Sequence, residues 1–219
     1  MDAMTFLLWT RGPGLQIALA LFLLGFVLRL FELFSLGRPP DLAVPRPGYR
    51  RGGWRTLAAR SLPAGTFARQ AYVTYGLSYL FHFGLFFSLL FFAPHILLFR
   101  EIIGISWPAL PNAWINAWAL LAIAALLLML VQRLIHPVKR LLSTTHDYFA
   151  WALTFAPLLT GYLAFQHALL PYTWMLGIHI LSAELLLACL PFTKLIHFAT
   201  LFVARWYNGD IAGRKGVAS

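Results

Sequence analysis

Five apolar stretches run through this chain: Leu15 to Leu36, Ala71 to Phe99, Trp114 to Ile135, Tyr148 to Phe165 and Trp174 to Val203. Each approaches or exceeds the roughly 20 helical residues that cross a hydrocarbon core. Backbone N–H and C=O groups in hydrocarbon must be satisfied within the protein, which leaves helices or a closed barrel. The stretches are long and lack the short alternating pattern of barrel strands, so helices are expected. Composition agrees: 60% of the 219 residues are hydrophobic and 11% charged, against about 25% charged in a typical soluble domain. The expected fold is an all-α integral membrane protein with five transmembrane helices, forming one domain over 1–219 with no internal repeat.

The formal net charge of +10 invites a nucleic-acid reading, but its distribution speaks for topology instead. Arg38, Arg46, Arg50, Arg51, Arg55, Arg60 and Arg69 crowd the first connection, a basic segment over 37–70. Arg133, Lys139 and Arg140 mark the third connection, and Arg205, Arg214 and Lys215 the C-terminal segment. The second connection carries only Arg100 beside Glu101, and the fourth, around His167 to Pro171, has no Lys or Arg. This alternation is the positive-inside pattern, with the N-terminus outside and the C-terminus cytoplasmic. A bacterial or archaeal cell membrane, crossed several times, is the expected location, with lipid and not nucleic acid as the surrounding partner. Arg11 before the first stretch resembles the start of a secretory signal, yet that stretch exceeds the about 7–15 residues of a signal core. It also carries Arg29 and Glu32, and keeping it preserves the parity of the charge pattern.

A single cysteine, Cys189, excludes an internal disulfide and every multi-cysteine iron–sulfur pattern within the chain. No Gly-rich phosphate loop, flavin fingerprint, serine nucleophile motif or zinc-protease motif is present. The stretch Gly37 to Gly65, with Pro39, Pro40, Pro45, Pro47 and Pro63, reads as a long irregular inner connection on which a cytosolic partner can rest. Trp107, Trp114 and Trp118 near the start of the third stretch fit an interfacial aromatic belt.

Ionisable or metal-binding side chains at membrane depth are costly and mark function by default. His82 and His95 lie thirteen residues apart in the second stretch, and His179 and His197 eighteen apart in the fifth. On one continuous helix, eighteen residues make five turns at about 3.6 residues each, so both rings of the fifth stretch are expected on one face. The second and fifth helices are antiparallel in the topology above. Paired histidines then define two haems b at two depths: an inner one held by His82 and His197, and an outer one held by His95 and His179. Thirteen residues place His95 about 220° from His82 on an ideal helix. Pro94 supplies the expected remedy, a kink that re-aims His95. The alternative is a haem-free transporter or metal-handling protein whose histidines bind a substrate ion, which predicts ligands converging at one depth.

The run Leu176-Gly177-Ile178-His179, followed by Leu190-Pro191-Phe192-Thr193-Lys194-Leu195-Ile196-His197, resembles the last helix of the gamma subunit of respiratory nitrate reductase. Leu80-Phe81-His82-Phe83-Gly84 resembles that family's first ligand motif, and Arg133 with Pro137-Val138-Lys139-Arg140 its connection between the third and fourth helices. The resemblance implies a five-helix, two-haem cytochrome b exchanging electrons between a quinone pool and an iron–sulfur partner subunit on the cytoplasmic face. Any substrate chemistry would lie on partner subunits. In the nitrate branch the second ligand comes ten positions after the first, and here that position is Phe92. Ala93-Pro94-His95 resembles instead the cytochrome b subunits associated with heterodisulfide-reductase-like and dissimilatory sulfur complexes.

The remaining polar residues have two readings each. Arg29, Arg133 and Lys194 are candidates to hold haem propionates; Arg29 can instead pair with Glu32, and the others can snorkel. Glu184, well inside the fifth stretch, is expected to be protonated or hydrogen-bonded, in a structural role or as a proton relay for quinone chemistry. His167 is either an interfacial side chain or part of a quinone pocket near the outer haem. His136 and His146, in the inner connection, are expected to be solvent-facing or capping residues.

Overall fold

The computed structural model describes residues 2–37, 44–48, 51–63 and 68–217, and every regular element among them is helical. Of the basic inner connection, Arg38, Pro39, Pro40, Arg50 and Gly65 lie outside the described residues. Five helical runs are long and apolar enough to cross a membrane: Ala3–Ser35, Ala71–Phe91, Asn112–Ile135, Thr145–Phe165 and Tyr172–Phe192. The all-helical transmembrane character expected from hydropathy is present. Two of the expected spans are cut at a proline, the second at Pro94 and the fifth at Pro191, and the first begins earlier than expected.

The first run begins well before Leu15. Helix α1 (Ala3–Trp9) starts at Asp2, whose Oδ1 accepts the Thr5 N–H at 2.7 Å. It passes through a π-helical turn at Thr10–Gly14 into α2 (Leu15–Ser35). Pro13 sits inside that turn and has no N–H to give the ordinary ladder, a setting in which a wider turn is tolerated.

The second stretch is two helices and not one. After α3 (Arg51–Ala59) in the inner connection, α4 (Ala68–Phe91) stops at Phe92, which is extended at φ −81° and ψ 127°. The chain restarts as α5 (Ala93–Ile103), with Pro94 in its first turn and Gly104 closing it in the left-handed conformation. In a continuous helix Pro94 would leave the Leu90 carbonyl without a donor and crowd it. Here the Trp107 Nε1–H donates to Leu90 O at 2.6 Å and the Leu110 N–H to Phe91 O at 3.0 Å. The break is therefore satisfied by the loop that follows α5.

Next come α6 (Asn112–Ile135), α7 (Pro137–Leu142) and α8 (Thr145–Phe165), the last opened by a capping box between Thr144 and Asp147. The expected fifth helix is also interrupted. Helix α9 (Tyr172–Cys189) gives way to 3₁₀ turns at Leu190–Phe192 and Lys194–Ile196 before α10 (His197–Lys215). Pro191 cannot continue the ladder, and its own carbonyl accepts the Arg29 Nε–H at 3.0 Å. His179 and His197 therefore do not lie on one continuous helix, because the helix that carries His179 ends at Cys189.

The chain forms two compact units. One joins the residues up to Phe22 with Gly76–Cys189; the other joins Leu23–Tyr75 with the residues from Leu190 on. The first has a core of Phe81, Ala122, Ile123, Ala125, Leu126 and Leu158, flanked by Trp151 and Phe155. Gly84 lets α4 and α6 meet closely: a Cβ there would lie 2.5 Å from Trp118 O and 2.7 Å from the Ala122 Cβ. Small residues at such crossings are how helices associate without a hydrophobic drive from lipid. In the second unit α3 packs on α10, with Gly52, Gly53 and Thr56 buried against Gly209 and Trp206.

Candidate functional site

All four candidate histidines hold their ring in place through Nδ1. His82 Nδ1 lies 2.6 Å from Ser78 O, His95 Nδ1 3.0 Å from Ser88 O, and His197 Nδ1 2.9 Å from Lys194 O. A carbonyl only accepts, so in each ring Nδ1 carries the hydrogen and Nε2 the lone pair. His179 reaches the same state differently. The Thr160 hydroxyl donates to Ala156 O at 2.7 Å, which leaves its oxygen to accept the His179 Nδ1–H at 3.4 Å. Anchoring one ring nitrogen to an oxygen, so that the other is aimed and basic, is the usual support for a metal-bound imidazole.

His95 and His179 come together in the first unit. Their ring centroids are 6.1 Å apart and their planes 27° from parallel. Two imidazoles on opposite sides of one metal, each bonded at about 2 Å, have centroids about 6 Å apart. The break at Phe92 makes this possible: α5 starts afresh, so His95 is free of the rotation that α4 would impose. Its anchor, Ser88 O, belongs to the last turn of α4, so the hydrogen bond spans the break. Phe92 stands edge-on to His95 at 5.3 Å and to Phe165 at 5.8 Å.

The other wall of the His179 ring is bare backbone. A Cβ on Gly161 would lie 2.8 Å from His179 Cε1 and 3.0 Å from Nδ1, so the ring occupies the space that a side chain would fill. Thr160 and Gly161 are supporting residues that the histidine spacing does not reveal. An isolated glycine inside the apolar fourth stretch is their one sequence signal. The donor set, the ring separation and the glycine cradle are compatible with a haem held by His95 and His179.

His82 is half-buried in α4 of the first unit, with Phe81 edge-on at 4.6 Å and Phe86 at 6.4 Å. His197 opens α10 in the second unit, beside exposed Lys194. Arg29 pairs with Glu32 at 2.7 Å, the simpler of its two readings, besides donating to Pro191 O. The Arg133 Nη1–H donates to Ser143 Oγ at 2.9 Å and lies 3.7 Å from Asp147 Oδ1, joining the ends of α6, α7 and α8. His136 sits between α6 and α7 as an extended capping residue. His167 is exposed in the tight reversal after α8, at φ 53°, and stacks on Tyr172 at 4.8 Å. Glu184 is buried in α9.

The chain is 33% identical over 219 residues to a protein of Nitratidesulfovibrio vulgaris (strain Hildenborough), covering 95% of this chain and 94% of that one. It belongs to the family of that protein, whose name states no activity. No family model matches the chain, and no solved structure matches it.

Proposed function

We propose that this chain is a di-haem b electron-transfer subunit of a membrane quinone oxidoreductase complex. The observation that carries the reading is the His95/His179 pair, with each Nδ1 beside an oxygen and ring centroids 6.1 Å apart. His82 and His197 are each anchored in the same manner and would serve as ligands for the second haem. Bound haem supplies one-electron transfer; the chain's own residues fix where and how. Thr160 and Gly161 set the His179 ring, and Ser88 and the Phe92 break set His95.

Quinone exchange is assigned to the outer side. An open apolar hollow lined by Leu90, Phe91, Trp107, Pro108, Ala109 and Leu110 lies beside the α4–α5 junction that precedes His95. Its apolar lining suits a quinone ring and tail. Electrons then pass inward to an iron–sulfur subunit on the basic, cytoplasmic face, and protons from quinol are released outside. His167 is assigned as a further quinone contact, and Arg133 and Lys194 would hold haem propionates. The membrane is a bacterial or archaeal cell membrane, with the N-terminus outside.

The deciding experiment is a reduced-minus-oxidised absorption spectrum of the purified chain with its haem stoichiometry. Two haems b per chain are expected. A fully folded chain without haem overturns the reading.

A further inference from the structure

Glu184 lies in α9 five residues after His179, about 7.5 Å of helix rise away. It is 5% exposed, and its Oε1 has no hydrogen-bond partner. The carboxyl rests on the π-helical turn of the first run. A Cβ on Gly14 would stand 2.8 Å from Oε2 and 3.2 Å from Oε1, so only a glycine leaves the group its seat. Trp9 closes the same spot, its ring 3.1 Å from that Cβ position. Thr10 is fully buried in the turn but gives its hydroxyl hydrogen to Leu7 O at 2.9 Å.

Charged groups near this seat are few. Helix α1 carries no titratable side chain, and the π turn carries only Arg11, which is exposed. Helix α8, also packed on α9, has His146, Asp147 and Tyr148 in its first turn and Tyr162 near its far end. Asp147 is taken up by Thr144 and Arg133. No cation pairs with Glu184 among the described residues. A carboxylate buried this deeply and left unpaired is costly, and the neutral acid much less so. Such a group responds strongly to any charge added nearby in a medium of low dielectric constant.

We propose that Glu184, seated on the Thr10–Gly14 turn, is a proton-binding site whose occupancy follows the electron on the His95/His179 centre. This rests on the haem reading above. With haem bound, the Glu184 carboxylate would take one proton from water for each electron held at the centre and give it up when that electron moves on. The electron comes from the quinol. Proton and electron together leave the net charge of the buried site unchanged, which is what favours their linkage in a water-poor interior.

The test is a spectroscopic redox titration of the haem-loaded chain at several pH values. In the wild type the potential of the outer centre should fall as pH rises. Glu184→Gln should flatten that dependence with both haems still bound, and Glu184→Asp should restore it at a shifted midpoint. Redox-difference infrared spectroscopy of the wild type should show a protonated-carboxyl band appearing on reduction, sensitive to deuterium exchange; this needs no variant to fold. A wild type without haem overturns the functional reading and this proposal with it. Two haems with an unaltered pH dependence in Glu184→Gln, or with no carboxyl band in the wild type, overturn this proposal alone.

Discussion

At the scale of single residues, the outer site depends on what stands behind the ligands. His95→Ala and His179→Ala should each remove the same haem band and leave the other, because each leaves one iron with a single imidazole. Absorption and low-temperature electron paramagnetic resonance of the two variants check this. If they remove different haems, the pairing is wrong. Gly161 gives a sharper prediction. A valine there drives its Cβ into the 2.8 Å space held by His179 Cε1, so the ring must swing off its anchor at Thr160. Supporting residues of this kind change metal affinity by about 10–100-fold, and outer-haem occupancy in Gly161→Val should drop on that scale while the inner haem stays. None of this could be read from the histidine spacing, because Gly161 meets His179 through tertiary packing of α8 on α9.

At the scale of elements, prolines decide where hydropathy and periodicity mislead. The apolar stretches were legible because transfer to lipid depends on composition over about 20 residues, and all five reappear as helices long enough to cross. Helical phase was not legible across Pro94 or Pro191, since counting residues per turn presumes an unbroken ladder. At His95 the proline signals a kink, and the structure goes further, with a complete break at Phe92 and a fresh helix. For His179 and His197 the count of five turns does not apply, because two 3₁₀ turns intervene. The partners that make a break tolerable lie far along the chain and are invisible locally. Trp107 reads as a belt residue, yet its Nε1–H closes the Leu90 carbonyl. Trp107→Phe keeps the ring and removes the donor, leaving a carbonyl unpaired at a cost of about 1–3 kcal/mol. Thermal unfolding in detergent should show lower stability, with loosening first at the outer haem. Unchanged stability would mean that another donor serves Leu90.

At the scale of the whole molecule, direction follows from charge. Basic residues bias the connections that stay in the cytoplasm, and here they fall after the first and third spans and at the end of the chain. Among the described residues, Arg51, Arg55 and Arg60 lie on or just after α3, and Arg214 and Lys215 on the last turn of α10. Both helices belong to the second unit. His95 follows the C-terminal end of α4, before the loop 104–111 that carries no Lys or Arg. Quinol oxidised there would release protons outside while electrons move inward, so turnover would build a membrane potential. Reporters placed in the 51–60 segment and at the C-terminus should therefore both be reachable only from the cytoplasm, and one in the 104–111 loop only from outside. Cysteine accessibility in a Cys189→Ser background measures all three in one membrane preparation. An externally reachable C-terminus would invert the inner and outer assignments together, leaving the His95/His179 pair intact but moving quinone chemistry to the opposite face.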